Sequence, residues 1–143
     1  MELADDIGRW QEKILQLPTP ESQTMEWLLF DRTMREERGA HRSDLRMWLE
    51  CDGFAIYLQT KGWVRDAKLV CMTLANVKIA EQHRRKGWFK HYVNMCFALM
   101  PHEGLILEQV TNPGLYNWLS RQPQYERVDK SFLNRKSRIM LTC

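Results

Sequence analysis

Within the stretch Asn76–Lys90, an apolar alternation at Val77 and Ile79 enters a basic loop, Arg84-Arg85-Lys86-Gly87, and leaves it as a helix-period run at Phe89, Val93, Cys96, Phe97 and Met100. A strand that turns directly into a helix needs a neighbouring strand to return to, so this segment commits the chain to a mixed α/β fold and argues against a helical bundle or a β-sandwich. The same junction carries chemistry. The first amides of the helix have no intrahelical acceptor, they sit at the positive end of the helix dipole, and positive side chains surround them. Such a place suits a phosphate or pyrophosphate.

The rest of the pattern fits around that unit. Leu3, Ile7, Trp10, Ile14 and Leu17 recur at intervals of four and three and predict an opening amphipathic helix that stops at Pro18-Thr19-Pro20. Thr19-Pro20-Glu21 then reads as a cap with proline at the first helical position, while Met25–Phe30 is so dense in apolar residues that strand and helix fit it equally. Arg32–Arg42 is a charged, solvated interval, and Ser43-Asp44 predicts a cap for a short helix carrying Leu45, Trp48 and Leu49. From Cys51 the period changes to two. Phe54, Ile56 and Leu58 share one strand face, Lys61-Gly62 reads as a turn, Trp63-Val64 opens a return strand, and Leu69–Thr73 and Leu74–Ala80 continue as strand-like segments after a break at Asp66-Ala67. Pro101-His102-Glu103-Gly104 ends the central helix, Leu105–Val110 is a short strand, and Asn112-Pro113-Gly114 starts a short helix with Leu115, Trp118 and Leu119. Tyr125–Asp129 and Arg138–Thr142 are the last two strand candidates, joined by a polar turn region.

At 143 residues the chain suits one domain, with a helical part over 1–50 and a core sheet over 51–143. A formal charge of +3 permits an anionic partner without requiring one, since a dedicated nucleic-acid module is usually more basic. Cys51, Cys71, Cys96 and Cys143 show no Cys-x-x-Cys spacing and read as incidental thiols of a reducing compartment. The acidic start Met1-Glu2-Leu3-Ala4-Asp5-Asp6 is unlike a secretory leader, and no run reaches the length of a membrane span, so a cytoplasmic protein is expected. The 6 tryptophans are expected to anchor the core. His41, His83, His91 and His102 have no metal-ligand spacing, and no Ser/His/Asp arrangement is legible.

Arg84-Arg85-Lys86-Gly87-Trp88-Phe89 resembles the acetyl-CoA signature of the GCN5-related N-acetyltransferases, Gln/Arg-x-x-Gly-x-Gly/Ala after a central strand, and departs from it at Phe89. The order of elements from Gly53 to Thr142 is similar to that family's core. Leu107–Asn112, Leu115, Trp118-Leu119 and Tyr125 resemble its fifth strand, asparagine, fourth helix and aromatic sixth strand, with Gln122-Pro123-Gln124 in place of a glycine turn. The resemblance implies a mixed, mostly antiparallel central sheet flanked by helices, and an acyl transfer from acetyl-CoA to an amine on a small molecule or protein.

The resemblance also implies roles. The amides from Arg84 through Arg85, Lys86, Gly87 and Trp88 to Phe89 would hold the pyrophosphate, the backbone of Val77 and Ile79 would pair with the pantetheine arm like an added strand, and Asn112 would border the site. An amide near Ile79 would donate to the thioester oxygen. The family's strand glutamate is replaced by Asn76 and Lys78, which leaves Glu81 and Glu108 as candidate bases. Tyr116 is the candidate acid for the departing thiolate, since the family's tyrosine position holds Leu119. Trp27, Phe30 and Trp48 would line the acceptor side. Two other classes fit as well: a catalytically inactive relative serving as a binding or assembly protein, homodimeric or otherwise, and a nucleic-acid binder using Arg84, Arg85, Lys86 and Lys90.

Overall fold

The structure is a computed structural model, and it describes residues 3–38, 45–63, 66–110 and 112–136. Four helices and six strands follow in the order α1 (Leu3–Leu15), α2 (Pro20–Arg38), β1 (Arg46–Cys51), β2 (Phe54–Trp63), β3 (Asp66–Ile79), α3 (Trp88–Leu99), β4 (Gly104–Leu107), α4 (Pro113–Ser120), β5 (Tyr125–Val128) and β6 (Ser131–Arg135). The strands form a single sheet in the order β1-β2-β3-β4-β6-β5. All neighbours are antiparallel except β3 and β4, which run parallel because α3 carries the chain back across the sheet.

The described helices all feed one core. Ile14 of α1, Trp27, Leu28 and Phe30 of α2, Tyr92, Val93 and Cys96 of α3 and Leu119 of α4 pack with Ile56, Leu58, Met72, Leu74, Leu105, Leu107 and Phe132 from one face of the sheet. Alternation along the strands sends Cys71, Ile106 and Leu133 to the opposite face, where they form a second small cluster with Leu69 and Val128. Among the described residues no helix is long and apolar enough to cross a membrane.

Several expectations are corrected. Leu45, Trp48 and Leu49 do not lie on a helix: Arg46–Cys51 is strand β1, and the last described helix before it is α2. Six cross-strand pairs with β2 and the alternating burial of Met47 and Leu49 outweigh a spacing that also suits a helix. Ser43 and Asp44 lie outside the described residues. Lys61-Gly62 is not a turn, because β2 runs through to Trp63 and Gly62 marks a register irregularity against β3. Asp66-Ala67 is no break either, since β3 is continuous from Asp66 to Ile79. Met25–Phe30 is helical, within α2. The segment read as a polar turn, Ser131–Arg135, is β6, whose Phe132, Leu133 and Asn134 are buried in succession between β4 and β5. Arg138–Thr142 lies outside the described residues.

Candidate functional site

The parallel seam between β3 and β4 is short. Pairing runs from Cys71↔Gly104 to Leu74↔Leu107, the Glu108 amide donates to the Leu74 carbonyl at 3.1 Å, and then the strands part. Each strand contributes to the parting. On β3 the register against β2 slips between Tyr57↔Asn76 and Leu58↔Leu74, leaving Ala75 as an unpaired bulge. On β4 Gln109 takes a left-handed backbone (φ 53), and the Val110 amide donates to the Lys130 carbonyl at 2.8 Å, which draws the chain toward the β5–β6 turn. The result is a cleft of about 350 Å³, walled by Leu74–Val77 on one side and Leu107–Val110 on the other, with Phe89, Asn112 and Leu115 at its helical end.

Past Leu74, β3 offers a free edge inside the sheet. The Ala80 amide donates to the Gly53 carbonyl at 2.7 Å, so the peptide groups of Ala80 and Lys78 point toward β2. By alternation those of Val77 and Ile79 point toward the cleft, where no described strand meets them. An extended polar chain laid along that edge would gain strand-like hydrogen bonds.

At the far end of the edge lies the basic loop. A single 3-10 turn, Glu81–His83, leads to Arg84, whose guanidinium Nε donates to the Ile79 carbonyl at 2.7 Å and ties the loop back to the strand. Arg85 (φ 61) and Gly87 (φ 76) both adopt left-handed backbone, and Gly87 is the N-cap of α3 with no side-chain cap bond, so the first amides of α3 keep their donors for an anion. Arg85, Lys86 and Lys90 are exposed around it, with the Lys90 ammonium 5.1 Å from the Trp118 ring centre.

A file of rings fixes this loop to the core. His83 stacks on Phe54 at 4.6 Å, Phe54 packs on Trp88 at 4.4 Å, and Trp88 stacks on the buried Tyr92 at 4.8 Å. Polar tips hold the file in place. His83 Nε2 donates to the Asp52 carbonyl at 2.8 Å, and Trp88 Nε1 donates to Glu21 at 3.1 Å. The Tyr92 hydroxyl donates to Thr24 Oγ1 at 2.7 Å, since Thr24 itself donates to the Pro20 carbonyl. Burial raises the Tyr92 hydroxyl pKa well above the usual phenol value. Gly53 is required where the loop closes on the β1–β2 turn: its φ is 88, and a Cβ there would meet His83 Cδ2 at 2.9 Å.

The residues singled out in the sequence are thus divided. Val77, Phe89, Asn112 and Glu108 line the cleft, and Arg84, Arg85, Lys86 and Gly87 form the basic loop that follows β3 and leads into α3. Asn112 also caps α4, its Oδ1 accepting the Leu115 amide at 2.9 Å. Ile79 lies on the same edge with its carbonyl taken by Arg84 Nε, and Trp88 belongs to the ring file. Glu81 is exposed on the loop turn, away from the cleft wall. Tyr116 is also outside the cleft: its ring meets Phe132 edge-on at 5.4 Å, and its hydroxyl accepts from Arg127 at 2.9 Å. Trp27 and Phe30, expected on an acceptor surface, are core residues with 0% and 2% exposure. Trp48, expected in the core, is 39% exposed on the sheet face that the described helices leave uncovered, beside Tyr57 at 5.1 Å and under the Lys78 ammonium at 5.6 Å.

Sequence reasoning missed two features. Lys61 forms an ion pair with Glu108, with the side chains 35% and 27% exposed. His102 Nε2 lies 2.6 Å from Asp31 Oδ2, both side chains fully buried, while the Thr60 hydroxyl donates to Asp31 Oδ1 at 3.3 Å and His102 Nδ1 has no partner. Both join residues far apart in the chain, and neither leaves a local signature. Among the described residues no group of three His, Cys, Asp or Glu side chains could hold a metal ion. Comparisons of the chain with protein-family models, with curated proteins and with solved structures found no match.

Proposed function

We propose that this chain is an acyl-CoA-dependent N-acyltransferase with a fold like that of the GCN5-related N-acetyltransferases, taking acetyl-CoA as donor and an amine as acceptor. The observation that carries the reading is the parting of the two parallel strands. It joins a cleft, a free strand edge and an anion-binding helix start in one line. The pyrophosphate would lie on the first amides of α3 with Lys86 beside it, and the pantetheine arm would run along Val77 and Ile79. The thioester would then reach the apex between Ala75 and Glu108.

The chemistry at the apex needs an oxygen-binding donor and a proton acceptor. The bulge supports a donor at Ala75–Asn76, four residues closer to the apex than the Ile79 amide expected from sequence. Glu108 is the one candidate carboxylate on the cleft wall. Phe89, large where the family signature has a small residue, stands on the wall of the cleft. The acceptor would approach the apex over the uncovered sheet face. A second reading, a catalytically inactive binding protein of the same fold, is favoured by Tyr116, whose hydroxyl is engaged by Arg127 outside the cleft.

Calorimetric titration with acetyl-CoA tests the cofactor. Binding is expected, weakened on the order of 10-fold or more when Arg84 and Lys86 are both replaced by alanine, with stability lowered by no more than about 1 kcal/mol, the worth of the exposed Arg84–Ile79 hydrogen bond, because exposed charges themselves add little. No heat and no melting shift at saturating acetyl-CoA would refute it. Binding without turnover over a panel of amines would favour the inactive relative.

A further inference from the structure

We infer that Lys61 is itself an acyl acceptor, so that the protein acylates its own Lys61 at the apex of the cleft; the inference rests on the acyl-CoA reading above. Thr60 turns its hydroxyl to Asp31 of α2, on the helical side of the sheet, so Lys61, the next residue of β2, points to the opposite face. Leu107 packs in the helical core, so Glu108 also points to that opposite face. The Lys61–Glu108 ion pair therefore crosses β3 at the level of Thr73, a buried residue whose hydroxyl has no partner. Glu108 is cleft wall, one residue past the last β3–β4 pair, and the ammonium of Lys61 rests on its carboxylate.

An acyl transfer to an amine needs that arrangement: a primary amine in contact with a carboxylate, at the point where a thioester laid along β3 would end. Lys61 loses one proton to solvent, and its Nζ lone pair attacks the thioester carbonyl carbon. The new C–N bond forms and the C–S bond breaks. Glu108 accepts the second nitrogen proton and passes it to water, and coenzyme A leaves as the thiol after taking up a proton. The product is an amide on Lys61, free coenzyme A and one released proton. Acylation removes the positive charge, dissolves the ion pair and leaves the Glu108 carboxylate free to take protons from other amines, so the first turnover prepares the site for later ones.

The test incubates the full chain with acetyl-CoA, follows each lysine by peptide mass spectrometry, and measures acetyl-CoA affinity by calorimetry on the same preparation. Lys61 is expected to be acylated roughly 100-fold faster than the exposed Lys86 and Lys90, the margin a general base supplies. Glu108→Gln should abolish that preference while Lys86 and Lys90 react as before. Lys61→Arg keeps the ion pair and should fold normally without acylation at that position. If acetyl-CoA binds and Lys61 reacts no faster than Lys86, or if Glu108→Gln leaves its rate unchanged, self-acylation is wrong and the cofactor assignment stands. If acetyl-CoA does not bind at all, the cofactor assignment falls and this inference with it.

Discussion

Removing the Asp31 carboxylate should unfold the protein far more readily than any surface change. Asp31 and His102 are both fully buried and 2.6 Å apart, and they join α2 to the turn between α3 and β4, with Thr60 of β2 as a third member. Asp31→Ala leaves the imidazole with neither nitrogen paired, because Nδ1 already lacks a partner. Breaking a buried pair by deleting one member costs about 3–5 kcal/mol, a third or more of the stability of an ordinary domain. For a chain of this length that corresponds to a fall in Tm of roughly 10–15 °C. The thermodynamics of the pair itself differ, since replacing both members by apolar residues removes the desolvation penalty along with the attraction. Asp31→Leu combined with His102→Leu should therefore lose less than Asp31→Ala alone, and the double-mutant cycle should show coupling of 2 kcal/mol or more, within the roughly 0.5–3 kcal/mol found for contacting pairs. Urea unfolding followed by tryptophan fluorescence measures both. A single-variant loss below about 1 kcal/mol, or losses that simply add, would refute the reasoning.

Three more outcomes follow from particular contacts. Gly104→Ala should destabilise by about 1–3 kcal/mol in chemical denaturation, because the new Cβ would lie 2.6 Å from Leu133 Cδ1, 3.1 Å from Cys71 Sγ and 3.3 Å from the Asn134 carbonyl, which cannot move aside. Burial raises the Cys96 thiol from 9.0 to about 12, so its contribution is complete below pH 9 and is lost as pH rises toward 12. Denaturation of Cys96→Ser, compared with the parent between pH 8 and pH 11, should show that much of the parent's alkaline loss is gone. Tyr116→Phe should leave any acyl-transfer rate within about 3-fold of the parent, whereas loss of a general acid lowers turnover roughly 100-fold, a difference that steady-state kinetics resolves.

What the sequence disclosed, it disclosed where the signal is local. The junction Ile79–Phe89 contains its own strand period, its own glycine and its own helix start, and the structure places all three as the residues suggest. Asn112-Pro113 likewise announces α4 through capping chemistry carried by adjacent residues. Leu45–Leu49 failed because three apolar residues at mixed spacing satisfy both periods, and the partner that decides between them, β2, is a separate element. Ser131–Arg135 failed because a strand covered on both sides has no alternation to read. The apex of the cleft was illegible for a further reason. The Ala75 bulge is a mismatch between two strands, and Lys61–Glu108 is a contact across 47 positions, so neither exists until the sheet is assembled.

The seam that opens the cleft also divides the molecule mechanically. Four residue pairs hold β1-β2-β3 to β4-β6-β5, and those pairs join positions about thirty residues apart across α3, while β4 and β6 pair across α4 and β5 and the remaining strand pairings join neighbours in sequence. The β1-β2-β3 meander and the β5–β6 hairpin can therefore zip up early, and β4 joins the strands on either side of it only after a longer loop closes. Pulled from its ends, the sheet should part first along this line, because it is only four pairs long and is the one parallel pairing, slightly weaker per residue than the antiparallel ones beside it. A chain nicked in the turn at Pro101–Glu103 should yield two fragments that fold poorly alone and recover their sheet when mixed.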